Sequence, residues 1–225
     1  MSGKPKLIPY LLLAIVLVLS IVFFVQTQND GEEIVEQQEE VQAVESVAAG
    51  EYMVDTTQTM IAWMGEKKLV NSSHAGLVRA KSGMVMFDEA GMLSGGEVVI
   101  DMTTITLDED DNGGEQLLGH LASPDFFDIA NHPEAMIAVT DVVEAENGFQ
   151  VTADLTIKGI TEPVVFTAIP TASSEEGVTL VADIAFDRAL YDVQFGSESF
   201  FDNLGDQIIK DEIVMQVSLV AKRSE

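Results

Sequence analysis

Residues Gln150 to Ile157 alternate strictly, with Val151, Ala153, Leu155 and Ile157 on one side and Gln150, Thr152, Asp154 and Thr156 on the other. Period two is the geometry of a strand with one buried face, and a helix cannot satisfy it. The same period recurs at Leu180, Ala182, Ile184 and Phe186, and again at Ile213, Met215, Val217 and Leu219. Turn signals punctuate these runs at Asp88 to Gly91, at Glu146-Asn147-Gly148 and at Lys158 to Pro163. Candidate strands near 52–55, 60–64, 76–87, 92–102, 134–144, 149–157, 163–169, 178–187 and 207–221 amount to eight or so antiparallel strands joined by hairpins. The class is all-β. A closed up-and-down barrel suits the pattern, and a two-layer sandwich carries the same local signature.

The size of the inward residues decides whether such a barrel is filled or hollow. The faces read as inward combine small Ala80, Ala153 and Ala182 with flexible Met84, Met86 and Met215, a mixture suited to an apolar slot. With no cysteine, the chain has no disulfide, thiolate nucleophile or cysteine metal ligand, so stability rests on the core.

Ahead of the strands, Leu7 to Val25 is an uncharged apolar run just long enough to cross a bilayer as a helix. Lys4 and Lys6 precede it and Asp30, Glu32 and Glu33 follow, so residues 1–6 are expected in the cytoplasm and the bulk of the chain outside it. The anchored domain would then lie in the periplasm or outside the cell. Secretion after cleavage of a signal peptide is the alternative. Residues 26–50, rich in Glu and Gln, read as an acidic stalk, with a short coiled-coil homodimer as the sharper alternative.

The formal charge of −27 repels phosphate backbones and excludes nucleic acid as a natural partner. Asp108, Asp110, Asn112 and Gly113 match the start of a calcium loop, but the closing position is Gly119, so a turn leading into a short helix near Gly114 to Leu121 is expected instead. The dispersed His74, His120 and His132 make no metal motif. No serine-hydrolase elbow occurs, and no carboxylate pair stands out for catalysis.

Three stretches carry a family resemblance: Tyr52-Met53-Val54-Asp55, His120 to Asp128 (HLASPDFFD), and Asp154 to Pro163 (DLTIKGITEP). Together they resemble the YceI-like family over residues 51–222. That resemblance implies an eight-stranded, lipocalin-like antiparallel barrel with one or two short helices, here behind an N-terminal transmembrane helix. It also implies a polyisoprenoid or isoprenoid quinone in the bore, with no other cofactor required. Trp63 to Lys68 with His74, and Tyr191 to Asn203, depart from the simplest members. The second stretch is expected to form a loop, with aromatics for a lid, over one barrel end.

The expected function is non-enzymatic: carriage or storage of an amphiphile near the membrane. The candidate ligand contacts are Trp63, Met84, Met86, Phe126, Phe127, Phe166, Phe186, Phe195 and Phe201, with His74 for a polar head. Alternatives are an isomerase or hydrolase at the barrel mouth using His74 or His120 with a carboxylate, and a ligand-free envelope stress or interaction module.

Overall fold

The computed structural model describes residues 47–224 except Asn112, so the expected anchor at 7–25 and residues 26–46 of the expected stalk lie outside the described residues. Nine strands form: β1 (Gly50–Val54), β2 (Met60–Glu66), β3 (Ser73–Phe87), β4 (Leu93–Asp101), β5 (Glu134–Ala145), β6 (Gly148–Ile157), β7 (Ile160–Ser173), β8 (Gly177–Asp187) and β9 (Glu212–Arg223). One α-helix, α1 (Gly114–Ala122), stands between β4 and β5. No helix among the described residues is long and apolar enough to cross a membrane.

The nine strands occupy eight positions around a closed antiparallel barrel. Both β1 and β2 lie between β3 and β9, β1 against Met84–Phe87 and β2 against Ser73–Val78, so together they make one interrupted stave. The remaining strands pair in chain order, and β3 with β4 closes the ring. Closure decides for the barrel over the sandwich, because a closed sheet has no unpaired edge.

The break in the first stave is repaired by side chains. Thr59 is buried, and its hydroxyl accepts from the Val220 amide at 3.1 Å and reaches the Val220 carbonyl at 3.3 Å, standing in for the missing ladder. Asp55 holds the turn, accepting from Thr57 N, Thr57 Oγ1, Gln58 Nε2 and Lys222 Nζ.

Single-residue bulges bend four strands, leaving Lys81, Ser94, Thr140 and Thr171 as the extra residues. The bulge at Lys81 reverses the inward parity of β3. Ala80 faces the core before it, while Val85 and Phe87 do so after it. Met84 and Met86 are therefore outside the bore, which corrects their expected inward facing. An unbroken period of two would have turned them inward.

The β6–β7 connection is also tighter than expected, for only Lys158 and Gly159 form it, at φ 51° and 74°. Two left-handed residues make the hairpin turn whose twist matches antiparallel strands. Pro163 lies within β7, opposite Asp154.

One end of the barrel is solid. Tyr52, Phe87 and Phe149 stack edge to face with centroids 5.5 and 6.0 Å apart, and Val47 is buried in the same core. The Tyr52 hydroxyl donates to Ala48 O at 2.8 Å and Arg223 Nη2 to Ala49 O at 2.6 Å. Those bonds draw the last residues of the expected stalk onto the barrel.

The Asp55 bonds, with Lys222 foremost and then Thr57 and Gln58, hold its carboxyl well below the ordinary value. A depressed carboxyl stabilises the fold above its unfolded value near 3.9 and loses that contribution as pH falls. Asp55→Ala is expected to cost about 2 kcal/mol at neutral pH. The gap from the parent chain should shrink as urea denaturation is repeated from pH 5 toward pH 2; a gap independent of pH would contradict this account.

Candidate ligand site

The opposite end of the barrel is hollow. A cavity of about 440 Å³ lies between the upper halves of the strands and a cover built from α1, the Phe126-Phe127 loop and the segment from Phe195 to Ile209. Its walls are inward strand residues such as Val78, Ile100, Leu155, Phe186 and Met215. A second chamber of about 90 Å³, lined by residues including Val85, Val151, Phe166 and Ala182, lies deeper. Ile100 and Met215 line both and form the partition.

The cover depends on a buried cation. Arg188 follows β8 in a short 3-10 turn and is fully buried. Its guanidinium donates to the carbonyls of Lys210, Val193, Phe195 and Ile209 at 2.9–3.3 Å. Nη2 lies 3.2 Å from Asp211 Oδ1, an ion-pair contact outside hydrogen-bond geometry, and the charge stacks over the Phe126 ring at 5.6 Å. Burial lowers the Arg188 pKa, while Asp211 and Asp187 oppose the shift. Lys158, from the β6–β7 turn, donates to Pro124 O at 3.1 Å and Asp192 O at 2.6 Å, fastening two mouth loops. Beside them Tyr191 meets Phe186 edge to face, and burial with the nearby Glu162 and Asp187 charges pushes its phenol up to about 12.

Among the polar residues on a mostly apolar wall, which include Glu66, Lys67, Gln116, His120 and Gln207, one forms a part-buried pair. His74 lines the cavity, and its Nδ1 lies 2.9 Å from Asp111 Oδ1 and 3.0 Å from Oδ2. The Asp111 side chain is 6% exposed and also accepts from Gly113 N and Ala75 N. Burial by itself would raise this carboxyl; those N–H groups and the His74 ring outweigh it and hold it below the ordinary value. An ionised carboxylate only accepts, so Nδ1 carries a proton toward Asp111 and Nε2 is the ring nitrogen left for another partner. Trp63 also lines the cavity, with its buried Nε1 unpartnered.

Of the candidate contacts, Trp63, His74, Phe126, Phe127, Phe186 and Phe195 converge on the large cavity, and Phe166 lines the deeper chamber. Met84 and Met86 line neither, nor does Phe201, which is 47% exposed beside Phe200 at the rim. The expected cover forms, but its cavity-facing aromatic is Phe195. His120, on α1, meets Phe195 edge to face at 5.1 Å and also lines the cavity. Asp111 falls in the stretch expected to turn into the short helix, and its role as partner to His74 comes from a contact across 37 positions. Arg188 left no sequence signal beyond being a rare cation in an acidic domain.

The YceI-like domain model matches residues 52–221. The chain belongs to the YceI-like family. A UPF0312 protein of Vibrio parahaemolyticus is 38% identical over 89 residues, 39% of this chain and 44% of its own length. Another, from Photorhabdus laumondii, is 41% identical over 49 residues, 22% of this chain and 26% of its own. The chain thus spans less than half of these relatives. Among solved structures, Burkholderia cenocepacia BcnA superposes with a TM-score of 0.59 at 24% identity, covering 75% of this chain and 99% of its own. A polyisoprenoid binding domain from Saccharophagus degradans, implicated in plant cell wall breakdown, gives 0.53 at 17% identity over 77% and 98%. These likenesses establish the shared fold of this YceI-like barrel.

Replacing Arg188 by Met leaves four carbonyls without their donor and Asp211 without its cation. The loss is expected to be about 3 kcal/mol or more in denaturant unfolding, with faster amide exchange across residues 193–211. Wild-type stability and exchange in the variant would contradict the central role given to Arg188.

Proposed function

We propose that this YceI-like domain holds a polyisoprenoid, or a quinone with an isoprenoid tail, in its upper cavity for carriage or storage beside a membrane. The carrying observation is the 440 Å³ apolar cavity in a barrel whose other end is packed solid. Its size falls in the range of about 300–1,000 Å³ usual for small-molecule sites. At the roughly 30 Å³ that a water molecule occupies in the liquid, it accommodates on the order of fifteen carbon-sized groups. Burying that many at about 0.8 kcal/mol each contributes about 12 kcal/mol before the costs of association. No charged clamp is required.

The fit suggests a ligand's orientation. Val78, Leu155, Phe186 and Met215 would hold the tail, with Phe126, Phe127 and Phe195 over it. The His74–Asp111 pair would meet the polar head, with Nε2 the ring nitrogen free to hydrogen-bond to it. A longer tail requires Ile100 and Met215 to part toward the Phe166 chamber, or else trails from the mouth. The Saccharophagus degradans neighbour is a polyisoprenoid binding domain, which supports the ligand class. In this reading residues 7–25 anchor the chain and the barrel works on the extracytoplasmic side.

The His74–Asp111 pair also has the form of an oriented general base, which favours a second reading as a barrel-mouth enzyme. Turnover with a pH profile that Asp111→Asn displaces would support that reading over a carrier.

Trp63 is the single tryptophan and lines the cavity, so its fluorescence reports occupancy. Titration of the purified chain with prenols of increasing length is expected to give tighter binding up to about fifteen carbons and a plateau beyond. Ile213→Trp, which projects a larger ring into the cavity, should reduce the uptake measured by solvent extraction and shorten the longest prenol held, whereas His74→Gln should weaken hydroxyl-headed ligands about tenfold, roughly 1.4 kcal/mol. Failure of every prenol and quinone to bind would sink the proposal.

A further inference from the structure

The three exposed phenylalanines among the described residues, Phe195, Phe200 and Phe201, fall within seven positions of one loop. That loop lies at the hollow end. Phe195 lines the cavity, Ile209 N donates to Gly196 O at 2.8 Å, and the loop pairs with the β2–β3 connection through Lys67 and Ile209. At the tip of that connection Leu69 and Val70 are 59% and 38% exposed. Lys68 donates to Glu198 and Lys210 to Glu66, so two cations at this rim are neutralised locally. Exposed apolar side chains thus rim the one end of the barrel that is hollow.

We propose that this rim, formed by Leu69, Val70, Phe200 and Phe201, docks on the surface of a lipid bilayer, placing the cavity mouth at the membrane. The inference rests on the lipid-binding reading above, since an amphiphile entering an apolar bore from a bilayer avoids crossing water only if the mouth meets the bilayer. Aromatic and aliphatic residues on such a rim suit the interfacial layer.

Charge favours a zwitterionic surface. Residues 51–225 hold nine basic and 31 acidic residues, and Asp202 and Asp206 stand beside the phenylalanines. Anionic headgroups would repel this domain, so docking depends on apolar contact and weakens as anionic lipid is added.

Chain length permits the required orientation. The described chain enters at the solid end, where Val47 is buried and β1 begins. The 21 residues from Gln26 to Ser46 that separate it from the apolar run reach about 70 Å when extended. The 15 residues of β3, running most of the barrel's length, span about 50 Å. A tether of that reach lets the mouth turn toward a membrane holding residues 7–25.

The absence of cysteine makes the test direct. Single cysteines are introduced in the full chain as Val70→Cys at the rim and Glu175→Cys in the β7–β8 turn at the solid end, and each is labelled with an environment-sensitive fluorophore. The proteins are reconstituted in phosphatidylcholine vesicles containing nitroxide-labelled lipid. Docking predicts at least fivefold stronger quenching at position 70 than at 175, and its loss when Phe200→Ser and Phe201→Ser are added. It also predicts weaker quenching at position 70 with 30% phosphatidylglycerol. Stronger quenching at 175, equal quenching at both, or no quenching at either would overturn the proposal. So would a label at 70 that responds to protein concentration without lipid, which would assign the rim to a second copy of the chain. Prenol binding by the same labelled proteins in detergent, read from Trp63, separates failure of docking from failure of the lipid-binding reading.

Discussion

Closure of the sheet between β3 and β4 is the constraint on which the rest of the molecule depends. At 15 residues β3 is the longest strand, and it pairs with β1 and β2 on one flank and β4 on the other. An open sheet with these faces would leave a row of unpaired backbone groups and an exposed apolar surface, which closure removes together. The acidic exterior then has a simple physical role, as solvated residues on the outer face of a ring whose inner face is apolar.

Within that ring the two ends differ by how their space is filled. At the solid end aromatic rings from β1, β3 and β6 meet across the bore and exclude a ligand. At the other end the inward side chains leave a gap, and cover comes from segments outside the sheet. Those segments have little sheet pairing of their own, so their carbonyls need other donors. Arg188 and Lys158 supply them. The cavity is therefore a consequence of a cover held by cations and aromatic contacts over an incompletely filled barrel.

The His74–Asp111 pair belongs to the same arrangement. Asp111 is fixed by Gly113 N and Ala75 N, which joins the segment before α1 to β3 and turns His74 into an oriented polar group on an apolar wall. A ligand with one polar end has a defined direction in such a space, and a mouth rimmed by Phe200 and Phe201 has a defined surface to meet.

The sequence by itself determined the strands and their turns, because period-two alternation and residues such as Lys158-Gly159 act over a few positions and depend on local backbone geometry. The convergence of Trp63 and Phe186 on one bore was legible for the same reason, since parity holds wherever a strand is regular, whereas Phe126 and Phe127, in a loop, were legible only through the family stretch that contains them. Parity failed at Lys81, where one extra residue rotated Met84 and Met86 outward, and a bulge is defined only against the partner strand. Only the tertiary structure decided that β1 and β2 share one stave, that Asp111 meets His74 and that Arg188 ties the cover. Each of these depends on contacts between residues far apart in the chain, which no local pattern encodes.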